Sequence, residues 1–218
     1  MGAVNGEPDG AVAALRAVTL AAVADALDQL GIEGVLASGL RGLGEYTVVG
    51  PAVTVEYEPT ARREPPAHTF DVLDSAAPGS VVVLAAGGEP EVAFWGGMFT
   101  AVAARRGLAA AVVDGGVRDV GDIARHRFPV YARGVAARGP APRYRSVAAG
   151  TAVVCAGVRV APGDLVVAGP DGVLGVPRAA APDVARIAAE VDERERVLLA
   201  EAAASGSLRT AALERRFF

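Results

Sequence analysis

The sequence predicts a single-domain α/β fold, on three observations. Apolar runs of Val, Ala and Leu, such as residues 108–113, alternate with helix-like stretches along the first part of the chain. Such runs suit the buried strands of a parallel sheet, where packed layers exclude water from both faces. A close series of short strand-like runs follows, separated by Gly157, by Ala161-Pro162-Gly163-Asp164 and by Gly169-Pro170-Asp171-Gly172, which read as tight turns. A helical pattern then runs from about Pro182 to Ala204, with Val184, Ile187, Val191 and Leu198 inward and a charged face at Asp192 to Arg196. The length of 218 residues suits one larger domain, and no repeat or linker divides it.

Taken in order, residues 1–10 read as a disordered tail, residues 11–206 as the domain and residues 207–218 as a C-terminal tail in which Phe217-Phe218 docks on a neighbour. Ala11 to Leu30 reads as one helix with Gly31 as its stop; Asp25 on it is either a polar contact near a site or a solvated position. Val48 to Val55 is a strand interrupted by Gly50-Pro51, which predicts a bulge or an edge position. Residues 61–66 form a loop, and His68 to Ala76 a short helix with Phe70 and Leu73 on one side; His68 is a ligand, an acid/base or a surface histidine. Val81 to Leu84 is a strand, Ala85 to Pro90 a glycine-bearing loop, and Gly96-Gly97 opens a helix running to Arg106. Gly107 caps that helix, Leu108 to Val113 is the next strand, Val120 to His126 a short helix and Phe128 to Tyr131 a further strand. Arg133, Arg138, Arg143 and Arg145 fall in a proline- and glycine-rich loop, where they line an anionic site, pair across a subunit interface or are solvated.

Composition removes several chemistries. All 21 basic residues are arginine, so Schiff-base lysine chemistry is excluded, and with it lysine-dependent aldolases and pyridoxal enzymes. Two histidines and one cysteine, Cys155, leave no His/Cys zinc site. A resident metal therefore needs oxygen ligands and is expected to be Mg²⁺ or Mn²⁺. A net charge of −4 with no basic block speaks against direct nucleic-acid binding. No apolar run approaches the roughly 18 residues of a membrane helix. The N-terminus lacks the basic region of a signal peptide. With a lone cysteine this leads to the expectation of a cytoplasmic protein without membrane association. The chain is 52% hydrophobic but only 5% aromatic, which predicts a core of Val, Ala and Leu.

The stretch most suggestive of chemistry is Val112-Val113-Asp114-Gly115-Gly116-Val117-Arg118-Asp119. Paired glycines permit a sharp turn and close approach of a ligand. Open α/β sheets bind ligands just past the carboxyl ends of their strands, where Arg118 and Asp119 are expected to fall. A guanidinium fork holds a carboxylate, and a neighbouring carboxylate holds a hard cation; the plainer alternative is a loop salt bridge or a helix cap. The backbone amides of Gly96, Gly97, Met98 and Phe99, at a helix start, form a second candidate carboxylate cradle. Its plainer alternative is a close-packed helix start with Trp95 in the core.

Seven segments together resemble the RraA-like proteins: Val23-Ala-Asp-Ala-Leu, Val49-Gly-Pro-Ala-Val-Thr-Val, Trp95-Gly, Val113-Asp-Gly-Gly-Val-Arg-Asp, Phe128-Pro-Val-Tyr-Ala-Arg-Gly, Pro162-Gly-Asp-Leu-Val-Val-Ala and Asp171-Gly-Val. That family includes 4-hydroxy-4-methyl-2-oxoglutarate/4-carboxy-4-hydroxy-2-oxoadipate aldolases, often labelled demethylmenaquinone methyltransferases. The resemblance implies an α/β/α sandwich of the swivelling, phosphohistidine-domain-like type with a C-terminal helix, assembled as homotrimers or hexamers with sites at subunit interfaces. It implies a lyase acting on small 2-oxo acids through a pyruvate enolate stabilised by Mg²⁺ or Mn²⁺, with retro-aldol cleavage and oxaloacetate decarboxylation as the reactions. It gives Arg118 the substrate's carboxylate or keto oxygen, Asp119 the metal, and Gly96, Gly97, Met98 and Phe99 the carboxylate. One position departs from it. The aldolases have an acidic residue twenty-one positions before the Arg, where this chain has Gly97. Asp114, or Glu193 or Glu195 from a neighbouring subunit, would then compensate, and loss of a water-positioning carboxylate costs about 10–100-fold in metal affinity or activity. Two further readings follow from the resemblance: a family member repurposed for another biosynthetic substrate, and a non-catalytic regulator of an RNA-degrading endonuclease.

Overall fold

A computed structural model describes residues 8–36 and 39–215. The chain folds as a mixed α/β domain whose sheet is parallel at its centre. Strand β2 (Val48–Pro59), β3 (Val81–Trp95), β4 (Ala110–Val117) and β5 (Val130–Val135) lie side by side in parallel. The short β1 (Arg41–Gly42) closes one edge antiparallel to β5. Beyond β2, the antiparallel pair β9 (Leu165–Gly169) and β10 (Gly172–Val176) extends the sheet, and β6 (Tyr144–Ala149) pairs with the second half of β2. The hairpin β7 (Val153–Cys155) and β8 (Val158–Val160) forms a separate two-stranded sheet.

Side-chain alternation along the strands sorts the core. The odd-numbered Val55 and Tyr57 of β2, with Val82, Leu84, Ala111 and Val113, pack beneath α3 (Ala67–Ser75), α4 (Gly97–Arg105) and α5 (Val120–His126). Val49, Leu165, Val167 and Leu174 pack with α1 (Pro8–Arg16), α2 (Leu20–Gln29) and α6 (Ala181–Ser205). Val81, Val83, Ala110 and Val112 face the other way, against Val153, Cys155, Val158 and Val160 of the small hairpin. The expected inward residues of the long helix, Val184, Ile187, Val191 and Leu198, are all buried, and Gly206 ends it in the left-handed region (φ 69°).

Several elements differ from the expectations. The single helix over 11–30 is two helices, α1 and α2, meeting at a bend of 118°. Thr19 starts the second: its Oγ1 accepts the Ala22 N–H at 3.1 Å, while its own N–H and hydroxyl donate to the Asp192 carboxylate of α6 at 2.9 and 2.7 Å. A hydroxyl that satisfies an exposed amide makes a helix start where apolar periodicity alone sees continuity. Helix α1 also begins at Pro8, inside the expected tail, and residues 208–215, within the expected C-terminal tail, form a further helix, α7. Phe217-Phe218 lies outside the described residues.

Gly50-Pro51 marks neither an edge nor a bulge. Strand β2 is central, and Pro51 sits where it exchanges partners, antiparallel to β9 up to Pro51 and parallel to β3 from Ala52. A residue without an N–H is tolerated where the ladder changes sides. Gly50 is there because a Cβ would stand 2.3 Å from the Gly79 carbonyl oxygen. The irregularity in β2 falls instead at Glu56/Tyr57, opposite β6. Residues 85–90, expected as a loop, remain within β3, which bends at Gly87 and Gly88 (φ 70° and 81°) while keeping irregular register with β4. Arg133 and Arg145, expected in a loop, lie on strands: β5 runs on to Val135, and Tyr144–Ala149 form β6. Among the described residues no single helix is long and apolar enough to cross a membrane.

Replacing Thr19 by Ala removes the cap and one bond to α6. We expect a loss of about 1 kcal/mol and a fall in Tm of roughly 2–4 °C, read by thermal melting. An unchanged melt would show that the junction does not depend on this cap.

Candidate active site

Strands β3 and β4 end side by side, and the backbone holds them there: the Arg118 N–H donates to the Trp95 carbonyl at 3.0 Å. Past β3 the chain enters α4 with Gly96 as its cap; past β4 it enters α5 with Asp119 as its cap. Asp119 lies in the left-handed region (φ 56°, ψ 39°) and makes no side-chain cap bond to its own helix. Its carboxylate reaches instead to the other helix, where Oδ2 accepts the Gly97 N–H at 3.1 Å. A non-glycine residue in this region is uncommon, although Asp tolerates it better than most, and such conformations gather at functional sites.

Arg118 and Asp119 therefore stand on the wall of one cavity of about 220 Å³. Gly96, Met98 and Phe99 of the helix start line it with them. The Met98 and Phe99 amides precede the first intrahelical bond, Thr100 N–H to Gly96 O at 3.0 Å, so they have no partner within α4. Within the predicted anion cradle the Gly97 amide is thus already bonded to Asp119, while those of Met98 and Phe99 have no partner in the helix. Trp95 is buried and donates its indole N–H to Thr100 Oγ1 at 2.8 Å, so the close-packed helix start and the cavity wall are one structure.

The paired glycines of β4 do not turn. Gly115 and Gly116 lie inside the strand, and their reason is close approach: a Cβ on Gly115 would stand 2.6 Å from the Phe94 ring, and one on Gly116 would stand 2.4 Å from the Pro90 carbonyl oxygen.

Asp114 does not join Arg118 and Asp119. It shares the face of β4 with Val112, away from the cavity, and is buried. Its carboxylate accepts Arg133 Nε–H at 2.5 Å and the Ala156 N–H at 2.9 Å. The catalytic or compensating role expected for it gives way to a buried tie between β4, β5 and the β7–β8 turn. Beside it, burial and the Asp114 charge push the Cys155 thiol well above the usual range, which keeps it protonated. Glu193 accepts from Arg196 on the exposed face of α6, and this holds its carboxyl below the usual range. His68 is engaged with Ser146, its Nδ1 3.1 Å from both Ser146 O and Oγ. Asp25 is exposed on α2.

Gly97 is not an empty position. A Cβ there would stand 2.6 Å from Asp122 Oδ2 and 2.8 Å from Asp122 Cβ, and one on Gly96 would stand 2.8 Å from Asp119 Oδ2. The two carboxylates of α5's first turn therefore cover the two glycines, and Asp122, which also pairs with Arg125, fills the volume that a side chain at 97 would need. Asp122 was not singled out from the sequence; its spacing of three from Asp119 on a helix is the signal that was available.

Sequence reading also missed most of the cavity's far wall. Six of the chain's eleven aromatic residues line it: Tyr57, Phe70, Phe94, Trp95, Phe99 and Tyr144. They meet edge to face, Phe94 with Tyr57 and Tyr144 at 5.1 and 5.0 Å, and Phe99 with Trp95 and Phe70 at 5.5 and 6.0 Å. Burial pushes the Tyr57 phenol up to about 12, against the opposing effect of its bond with Thr69, so it stays neutral. Arg145, one of the four loop arginines, lines the cavity from β6. Glu58 bonds its guanidinium at both Nε and Nη2 and, with Glu64 4.0 Å away, holds its pKa above the ordinary value. Arg133 is the partner of Asp114 described above.

The donor set suits a hard divalent cation only in part. Among the described residues no cluster of three or more His, Cys, Asp or Glu is placed to hold a metal. Asp119 offers a half-exposed carboxylate at the cavity. One or two carboxylates with the remaining positions left to water and substrate is a set that Mg²⁺ accepts.

A mixed α/β domain with an Arg-Asp pair at the carboxyl ends of two parallel strands and a helix start beside it presents a candidate small-ligand site of the open-sheet kind. The chain belongs to the RraA-like family (Aldolase/RraA), which it matches over residues 20–174. It is 31% identical over 189 residues to a Halalkalibacterium halodurans protein named "Putative 4-hydroxy-4-methyl-2-oxoglutarate aldolase", covering 84% of this chain and 86% of that one. It is 32% identical over 159 residues to Protein DlpA of Legionella pneumophila, covering 72% of this chain but only 26% of that longer protein. Another curated relative, from Methanocaldococcus jannaschii, is matched over 52% of its length, so the chain spans a quarter to a half of these two relatives. The crystal structure of Streptomyces coelicolor RraAS2, described as an unusual member of the RNase ES inhibitor RraA family, superposes with a TM-score of 0.79 at 29% identity, covering 90% of this chain and 98% of that one.

Replacing Gly97 by Ala forces α4 and α5 apart. We expect a cost of about 1–3 kcal/mol, as for other overpacked sites, and partial recovery in the pair Gly97→Ala/Asp122→Gly, both read by thermal melting. A Gly97→Ala melt equal to that of the unaltered protein would contradict the packing of Asp122 on this glycine.

Proposed function

We propose that the chain is a divalent-cation-dependent carbon–carbon lyase that cleaves small 2-oxo acids to pyruvate. The observation that supports this most is the adjacency of Arg118 and Asp119 on the wall of a cavity that also receives the unbonded amides of α4. Arg118 holds the substrate carboxylate: its one charged partner among the described residues, Asp119, is 3.8 Å away, so its fork remains available. The amides of Met98 and Phe99 add donors for the same group. Asp119 would hold Mg²⁺ or Mn²⁺, with the remaining positions left to water and substrate. A cation there supplies a Lewis acid for the 2-oxo group, which lowers the cost of negative charge at C3. The aromatic wall keeps bulk water from the reacting carbons. The likeness to the Halalkalibacterium halodurans protein supports the same reaction class. Assembly as a homotrimer or hexamer, in the cytoplasm, belongs to this proposal.

A second reading, a non-catalytic partner of an RNA-degrading endonuclease, is supported by the likeness to RraAS2. It requires no intact cavity, so binding of a nuclease that survives Arg118→Ala would favour it.

The test of the lyase is oxaloacetate decarboxylation with Mg²⁺, with a chelator, and against a protein-free control for metal-catalysed background. We expect metal-dependent pyruvate formation that falls at least 100-fold in Asp119→Ala and at least tenfold in Arg118→Ala. Turnover retained by Asp119→Ala would move the metal elsewhere, and none above background in the unaltered protein would sink the reading.

A further inference from the structure

The cavity is lined by two arginines in different electrostatic states. Arg118 is loosely paired with its own neighbour at 3.8 Å and is free to take an anion. Arg145 already donates two hydrogen bonds to Glu58 and has the charge of Glu64 nearby. No other cationic residue lines the cavity among the described residues, and six of its lining residues are aromatic, in a chain where aromatic residues make up only 5%.

From this asymmetry we infer that the ligand is a 2-oxo acid with a single carboxylate and an apolar, ring-sized substituent at C4, its head on Arg118 and its tail among Phe70, Phe94, Phe99 and Tyr144. This specificity rests on the lyase reading for its chemistry but on the cavity alone for its binding. A second carboxylate on the tail would lose its water against aromatic rings and find no uncommitted cation among the described residues of the same chain, a burial that is strongly unfavourable. An aromatic tail meets the rings edge to face or stacked, as they already meet each other. Size agrees: an apolar cavity of about 150 Å³ takes a benzene ring, and this one, at about 220 Å³, leaves part of its volume for the 2-oxo head.

The corresponding cleavage is balanced without any oxidant or reductant. In a 4-hydroxy-2-oxo acid the C3–C4 bond breaks and its electron pair stays with C3. The C4 hydroxyl loses its proton to solvent and becomes the carbonyl of an apolar aldehyde. C3 then takes a proton from solvent to give pyruvate.

The experiment compares two ligands that differ only at the tail, 2-oxo-4-phenylbutanoate and 2-oxoglutarate, by isothermal titration calorimetry with Mg²⁺ present. We expect the phenyl compound to bind at least tenfold more tightly, and its affinity to fall at least tenfold in Arg118→Ala. In the double variant Glu58→Gln/Glu64→Gln, which releases Arg145, the preference should narrow at least tenfold through tighter 2-oxoglutarate binding. Equal or tighter 2-oxoglutarate binding to the unaltered protein overturns the inference, as does binding of neither ligand or phenyl binding indifferent to Arg118. Pyruvate release from 4-hydroxy-2-oxo-4-phenylbutanoate is measured alongside. Selective phenyl binding without that release upholds the ligand class and sinks the lyase reading.

Discussion

The site depends on one hydrogen bond, from the Gly97 amide to the Asp119 carboxylate. It joins the first residue of α4 to the residue that starts α5, at the point where β3 and β4 stop. A bond from a backbone N–H to a charged acceptor contributes about 1.5–3 kcal/mol, and it offsets the cost of holding Asp119 in the left-handed region. It also fixes which way Asp119 points. A carboxylate that capped its own helix would turn from the cavity; this one turns across to the neighbouring helix and leaves Arg118 beside it at the mouth.

The same constraint explains the two glycines. Gly96 and Gly97 lie beneath Asp119 and Asp122, and a Cβ at either position would intrude on a carboxylate oxygen. Acidic character at this corner is thus supplied by α5 rather than by α4. Gly97 leaves open the volume that Asp122 occupies.

Much of this was legible in the sequence. Strand runs of Val and Ala located the parallel strands because water is excluded from both their faces, and the Arg-Asp pair fell past a strand end as expected. The short strands after Val153 and the inward face of α6 followed from turn chemistry and helical spacing. What was not legible depends on three dimensions. Asp114 and Asp119 look equivalent five residues apart, but strand alternation sends Asp114 to the far face, where Arg133 and Ala156 bind it. Thr19 splits a helix because Asp192, far away in sequence, holds it. Tyr57, Phe70 and Tyr144 come from β2, α3 and β6, and no local pattern reports that they converge. Arg145 was one of four arginines with open roles; only its neighbours Glu58 and Glu64 distinguish it from Arg118.

The central claim is that Arg118 and Asp119 act together on a 2-oxo acid to make C3 carbanionic. Exchange of the pyruvate methyl protons in D₂O, followed by proton NMR, tests this without regard to the tail the natural substrate carries. The account predicts exchange that requires both the protein and Mg²⁺ and is lost in Asp119→Ala. Exchange no faster than with Mg²⁺ alone would contradict it.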